Sequence, residues 1–278
     1  MATTVEKIMH APTLLKKEAS VCRAAEVMAE KNIGSILINV GERYMILTER
    51  DILTKVVAQN KKPGEIKVSE IAADPVYMVY NTATIESAAD TFEKHHIRRL
   101  PVVEKGKKGN IIVGIITTRD VAEAPFNYFH KSKIGGVRDV KVEKIMREIT
   151  IVESGATILD AAKIMAEKDI GSVLSKKDGF HGILTERDIV RMVAKNTSPD
   201  KSVGDVMSEL THTVSFGKTI RDAIEIFEKF HIRRLPVMKE EKVVGITTTR
   251  DVANAISAVT KGEYFKGMSD YTGSSGWW

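Results

Sequence analysis

Thr-x-x-Asp stands directly after an apolar run four times, at Thr48–Asp51, Thr117–Asp120, Thr185–Asp188 and Thr248–Asp251. That spacing can support two chemistries. At a helix start, the hydroxyl and the carboxylate form a capping box, which satisfies amides that have no partner inside the helix. A carboxylate at a strand-to-helix corner can also accept hydrogen bonds from both hydroxyls of a ribose. The Thr hydroxyl and the first helical amides are then placed to meet a phosphate. Hydrogen bonds to charged groups contribute about 1.5–3 kcal/mol net. The two roles are compatible, because Thr can cap while Asp faces a cleft.

Cations stand near two of these corners. Arg98-Arg99 and Arg233-Arg234 begin strands where the other two copies have Gly34-Ser35 and Gly171-Ser172. Arginine offers a planar fork suited to phosphate, and the bland alternative is a solvated strand end. Arg50, Arg119, Arg187 and Arg250 precede each Asp and read as exposed helix positions, with phosphate contact as the alternative. Glu49 and Glu186 occupy the place of Thr118 and Thr249, so the second and fourth corners are expected to tolerate more phosphate charge. His95, His96 and His231 end helices, where a cation favours the dipole. No Cys/His ligand pattern appears, and no metal is expected. No Gly-rich phosphate loop or nucleophile elbow is present, so no catalytic residue is assigned.

The corners recur because the chain is an internal repeat. Ile33-Gly34-Ser35-Ile36-Leu37 returns as Ile170-Gly171-Ser172-Val173-Leu174, and His96 to Val102 returns as His231 to Val237. Candidate helix caps stand at Ser20, Thr84, Thr157 and Thr219, each followed thirteen residues later by Ile33, Ile97, Ile170 or Ile232. After each cap, the positions at offsets of 1, 4, 5 and 8 are small or apolar, as in Val21, Ala24, Ala25 and Met28. That spacing predicts one buried helical stripe. Two short β-branched runs follow each helix and predict a hairpin. Each unit therefore reads strand, helix, strand, strand, helix, and a unit of this size needs a partner to cover its sheet.

Composition narrows the function. The net charge is +5 over 278 residues and the pI about 9.1. The excess is dispersed, which biases the chain toward anions such as nucleotides rather than marking a nucleic-acid footprint. The longest apolar run, Ile111 to Ile116, is far too short to span a bilayer. Met1 to Glu6 does not read as a secretory signal. Cys22 is the single cysteine, so no intrachain disulfide can form. A cytoplasmic location is expected on that basis. The end of the chain, Gly-Ser-Ser-Gly-Trp-Trp, reads as a disordered tail, with docking of its tryptophans to a partner or a sister chain as the alternative.

The Arg-Leu-Pro-Val strand and the Gly-apolar-apolar-Thr-x-x-Asp ending, at Gly114 to Asp120, Gly182 to Asp188 and Gly245 to Asp251, resemble the CBS family over nearly the whole chain. The first unit departs from the pattern, with Met45 in the glycine place and a less open backbone expected there. The resemblance implies an α/β (α+β) fold of four β-α-β-β-α units, paired into two pseudo-symmetric modules that form a disc. The units would run over 3–60, 66–126, 140–196 and 201–258, with a linker at 127–139 and a tail at 259–278. It implies a non-catalytic regulatory protein that binds AMP, ADP or ATP in clefts between paired motifs and signals to an unidentified protein partner by changing shape. By the same resemblance Asp51, Asp120, Asp188 and Asp251 bind ribose. Thr48, Thr117, Thr185 and Thr248 contact ribose or phosphate, and Arg98, Arg99, Arg233 and Arg234 point toward phosphates. S-adenosyl methionine or NAD as ligand, and nucleic-acid binding, are the alternatives. An enzyme is disfavoured, because the four units leave no room for a barrel of about 250 residues.

Overall fold

A computed structural model of the chain describes residues 4–41, 43–106, 109–121, 139–177, 180–230 and 232–260. The tail from 261 onward, His231 and the linker other than Asp139 lie outside the described residues.

The fold is mixed α+β, with four three-stranded sheets among the described residues. Strands β1 (Leu14–Lys16), β2 (Ser35–Val40) and β3 (Arg43–Thr48) form the first, and β4 (Val79–Tyr80), β5 (Arg99–Gly106) and β6 (Gly109–Thr117) the second. The third holds β7 (Ser172–Lys177), β8 (Phe180–Thr185) and β9 (Ser208–Glu209), and the fourth β10 (Val214–Ser215), β11 (Arg234–Lys239) and β12 (Lys242–Thr248). In each sheet the expected hairpin is antiparallel, with Ser35 opposite Thr48, Arg99 opposite Thr117, Ser172 opposite Thr185 and Arg234 opposite Thr248.

The first helix of each repeat begins where its cap predicts. Ser20 and Thr84 accept from the amides of Arg23 and Ser87. Thr157 and Thr219 form boxes with Asp160 and Asp222. The predicted stripes face inward, with Val21, Ala24, Ala25 and Met28 buried in the first repeat and Ile220, Ala223, Ile224 and Phe227 in the fourth. Ala at the fourth position is fully buried in all four, at Ala24, Ala88, Ala161 and Ala223.

A short segment outside the five-element pattern completes every repeat. It bridges the cap residue, turns through one helical turn, and then bridges the second hairpin strand. Lys67 meets Ser20 and Ala73 meets Ile46; Ser202 meets Thr157 and Ser208 pairs with Ile183. For the second and fourth repeats the segment comes from before the preceding repeat in the chain. Thr4 meets Thr84 and His10 meets Ile115, while Lys141 meets Thr219 and Arg147 meets Ile246. A valine anchors each segment, and Val5, Val68, Val142 and Val203 are all fully buried.

Contacts gather the chain into two compact units that do not follow chain order. One holds 12–77 and 150–210, hence the first and third repeats; the other takes in the described residues of 4–11, 78–149 and 211–260. In the unit of odd repeats, the helix Val21–Glu30 packs against Glu186–Ala194, and the helical turn Leu53–Val57 packs against Ile158–Glu167. The two repeats there share one continuous apolar core. In the unit of even repeats, the described residues of the second and fourth repeats form two apolar clusters.

Candidate functional site

All four Thr-x-x-Asp corners form capping boxes with the same atoms. The Thr amide and hydroxyl both donate to Oδ2 of the Asp, at 2.6–3.0 Å. The Asp amide donates back to the Thr hydroxyl at 3.3–3.4 Å. The strand end fixes Thr in an extended conformation, and the helix begins at the next residue, so the side chain at the third helical position must reach back.

Oδ1 is left out of the box, and in each repeat it meets a basic side chain. In the odd repeats the cation comes from the same helix, Lys55 at 2.8 Å from Asp51 and Arg191 at 3.8 Å from Asp188. In the even repeats the basic side chain comes from the completing segment. His10 Nε2 lies 2.9 Å from Asp120 and Arg147 Nε lies 2.6 Å from Asp251. The Asp side chains are 14% exposed at Asp51, 10% at Asp120, 15% at Asp188 and 4% at Asp251. An ionised carboxylate has about four acceptor positions, so box and cation together do not saturate it.

Arg98, Arg99, Arg233 and Arg234 are half-buried at the even corners. The backbone places Arg99 and Arg234 directly across the ladder from Thr117 and Thr248. The carbonyls of Arg98 and Arg233 accept from the first helical amides, those of Thr118 and Thr249. Gly34 and Gly171 do the same for Glu49 and Glu186 in the odd repeats. The arginine pairs thus belong to the second and fourth Thr-x-x-Asp corners.

Two sequence readings change here. Arg50 and Arg187 are not exposed helix positions. Arg50 pairs with Glu186 and Asp169, and Arg187 pairs with Glu49 and Asn32, each across the two odd repeats. Glu49 and Glu186 are 3% exposed, so they join the two repeats instead of tuning a phosphate site. The helix-on-helix packing of the odd unit brings these residues together, and periodicity within one repeat does not reveal it.

The second change concerns the glycine of the motif. A Cβ at Gly114, Gly182 or Gly245 would lie 2.4–2.6 Å from the sulfur of Met9, Met207 or Met146. The glycine makes room for the methionine of the completing segment. In the first repeat the sizes are exchanged, with Met45 in the glycine place and Ala72 in the methionine place, both packed on the core. The signal was in the sequence: Val-Glu-Lys-Ile-Met stands at Val5 to Met9 and again at Val142 to Met146.

Among the described residues no cluster of three or more His, Cys, Asp or Glu side chains could hold a metal. No helix among them is long and apolar enough to cross a membrane. A surface hollow of about 480 Å³ lies at Leu14–Glu18 and Asn39–Gly41, the end of the first hairpin opposite Thr48.

Four repeats of a helix, a hairpin and a boxed Thr-x-x-Asp corner define a tandem-repeat α+β protein. The chain belongs to the CBS domain family, whose model matches residues 68–127, 137–195 and 203–258. Members of that family are typically non-catalytic regulatory modules. The first repeat lies outside the match yet has the same order of elements and the same box. Protein MJ1225 of Methanocaldococcus jannaschii is 28% identical over 206 residues, 70% of this chain and 68% of its own length. Its crystal structure superposes with a TM-score of 0.75 at 20% identity, covering 91% of this chain and 99% of that one; the protein was put forward as an archaeal homologue of γ-AMPK. An uncharacterised Pyrococcus horikoshii protein has a TM-score of 0.57 at 21% identity, covering 91% of this chain and all of that one. The Arabidopsis thaliana protein CBSCBSPB2 is 26% identical over 86% of this chain, which spans half of its length.

Proposed function

We propose that the chain is a non-catalytic sensor that binds AMP, ADP or ATP at its Thr-x-x-Asp corners and passes occupancy to a protein partner through a change of shape. One observation carries the reading. The capping box uses only one oxygen of each Asp, and the second, which meets one basic side chain, keeps an acceptor position for a ribose diol. Asp51, Asp120, Asp188 and Asp251 are the ribose acceptors, and Thr48, Thr117, Thr185 and Thr248 lie on the phosphate side. Arg98, Arg99, Arg233 and Arg234 supply cations at the even corners. Membership of the CBS family and the likeness to a protein put forward as a γ-AMPK homologue support adenine nucleotides as the ligand class. A ligand moves the shape only by binding one shape better than another.

Calorimetric titration of the full chain with AMP, ADP, ATP, NAD and S-adenosyl methionine tests this, repeated with each Asp changed in turn to Asn. Asn keeps an oxygen for the box while removing the charge. Adenine nucleotides should bind, and each essential Asp→Asn change should remove one site. Binding indifferent to all four changes, or a clear preference for S-adenosyl methionine, refutes the proposal. Sustained nucleotide turnover lost in Asp188→Asn refutes its non-catalytic part.

A further inference from the structure

The basic side chains on Asp120 and Asp251 differ in origin from those on Asp51 and Asp188. His10 and Arg147 arrive on the completing segments, directly after Met9 and Met146, and each bridges the strand two residues before the motif Thr. The matching places in the odd repeats hold Ala73 and Ser208, which carry no charge. We propose that His10 and Arg147 set the charge of the ligand taken by the even corners, admitting a phosphorylated nucleoside and holding out a neutral one. This rests on the nucleotide reading above.

The argument is one of competition for a single oxygen. Oδ2 of Asp251 is fixed by Thr248, so a diol must use Oδ1, where Arg147 Nε sits at 2.6 Å. The Asp251 side chain is 4% exposed and that of Arg147 55% exposed. The guanidinium can therefore turn outward, while the carboxylate cannot follow. Turning outward forfeits a charge-assisted hydrogen bond. A ligand with its own anion gives the guanidinium a new partner, and a neutral nucleoside gives it none. His10 on Asp120 has the same arrangement, at 67% and 10% exposure. Lys55 and Arg191 ride on the helix of their own corner, and the completing segments there place the uncharged Ala73 and Ser208 at the matching position.

Adenosine and AMP titrated into the full chain and into Arg147→Gln test the idea, with Asp251→Asn identifying the heat from that site. Wild type should favour AMP over adenosine there. In Arg147→Gln, adenosine affinity should rise about tenfold and the AMP-to-adenosine ratio fall by about the same factor. Arg147→Lys, which keeps the charge, should retain most of the wild-type ratio. An unchanged ratio in folded Arg147→Gln, with Asp251→Asn still removing a site, overturns the selector alone. Absence of binding by either ligand to both wild type and Arg147→Gln overturns the selector and the nucleotide reading together. Should Arg147→Gln fail to fold, His10→Gln read at the Asp120 site gives the same decision.

Discussion

Arg50 Nε lies 2.9 Å from Glu186 Oε1, and Arg187 Nε lies 2.9 Å from Glu49 Oε1. Residues that begin the second helix of the first repeat thus clasp their counterparts in the third, and each pair repeats the other in reverse. Both carboxylates are 4% exposed in their side chains, and the arginines are 20% and 25% exposed.

Removing one partner of such a pair leaves a buried charge without compensation, which costs about 3–5 kcal/mol in a dry interior and less where one partner reaches water. Glu186→Gln and Arg50→Gln should therefore each destabilise the odd unit by about 2–3 kcal/mol. The double change should be less costly than the sum by about 1–2 kcal/mol. Urea unfolding of the four proteins in the cycle measures this. Strict additivity would mean that the pair contributes no coupling.

The exchange of Gly and Met between repeats gives a second prediction. In Gly182→Ala the new Cβ would sit 2.4 Å from Met207 Sδ and 2.6 Å from its Cγ. Overpacking of this kind costs about 1–3 kcal/mol. Adding Met207→Ala should return much of that loss, because the first repeat already combines Met45 with Ala72. Thermal unfolding of the single and double variants should show the rescue. A double variant less stable than Gly182→Ala would show that the methionine is not what the added methyl meets.

Asp222 provides a pH dependence. The Thr219 amide and hydroxyl donate to its Oδ2 at 2.7 and 2.8 Å, and these hydrogen bonds hold its carboxyl below the ordinary value of 3.8. A depressed folded-state pKa means that the unfolded chain takes up the proton first as pH falls. The stabilisation is therefore complete above the ordinary carboxylate range and declines as pH falls through it toward the folded value. The difference in urea midpoint between wild type and Asp222→Ala should be constant from about pH 6 to 8 and shrink below about pH 4. A difference that grows on acidification would contradict the assigned bonds.

Most of each repeat was legible in its own residues. Caps such as Ser20 and Thr157, the stripe from Val21 to Met28 and the Thr-x-x-Asp box all act within one or two turns of chain, where spacing alone fixes the partners. The pairing of Glu49 with Arg187 was not legible, because it depends on how two helices far apart in sequence come to pack. Exposure of Arg50 was the natural reading for a charged residue at a helix start, and burial between repeats overrode it. The Val-Glu-Lys-Ile-Met segments lie between. Their repetition was visible, but each serves the sheet of the following repeat, so a reading that stopped at unit boundaries assigned them no task. Met9 reaches Gly114 from outside the stretch that resembles the motif.

The remaining prediction separates odd from even corners by phosphate charge. At the even corners Arg98-Arg99 and Arg233-Arg234 stand at the start of the strand facing the motif Thr, and His10 or Arg147 sits on the Asp. At the odd corners the same strand position holds Gly34-Ser35 or Gly171-Ser172, and the nearby Glu49 and Glu186 are neutralised by arginines of the opposite repeat. Two additional guanidinium groups near a triphosphate should favour it over a monophosphate, as charge-assisted bonds accumulate. The ATP-to-AMP affinity ratio should be higher, by about tenfold, at sites removed by Asp120→Asn or Asp251→Asn than at sites removed by Asp51→Asn or Asp188→Asn. Salt should narrow the gap, since cations that reach solvent are screened. Equal ratios in the two classes, read by calorimetry at low salt, would show that the arginines serve the strands and not the ligand.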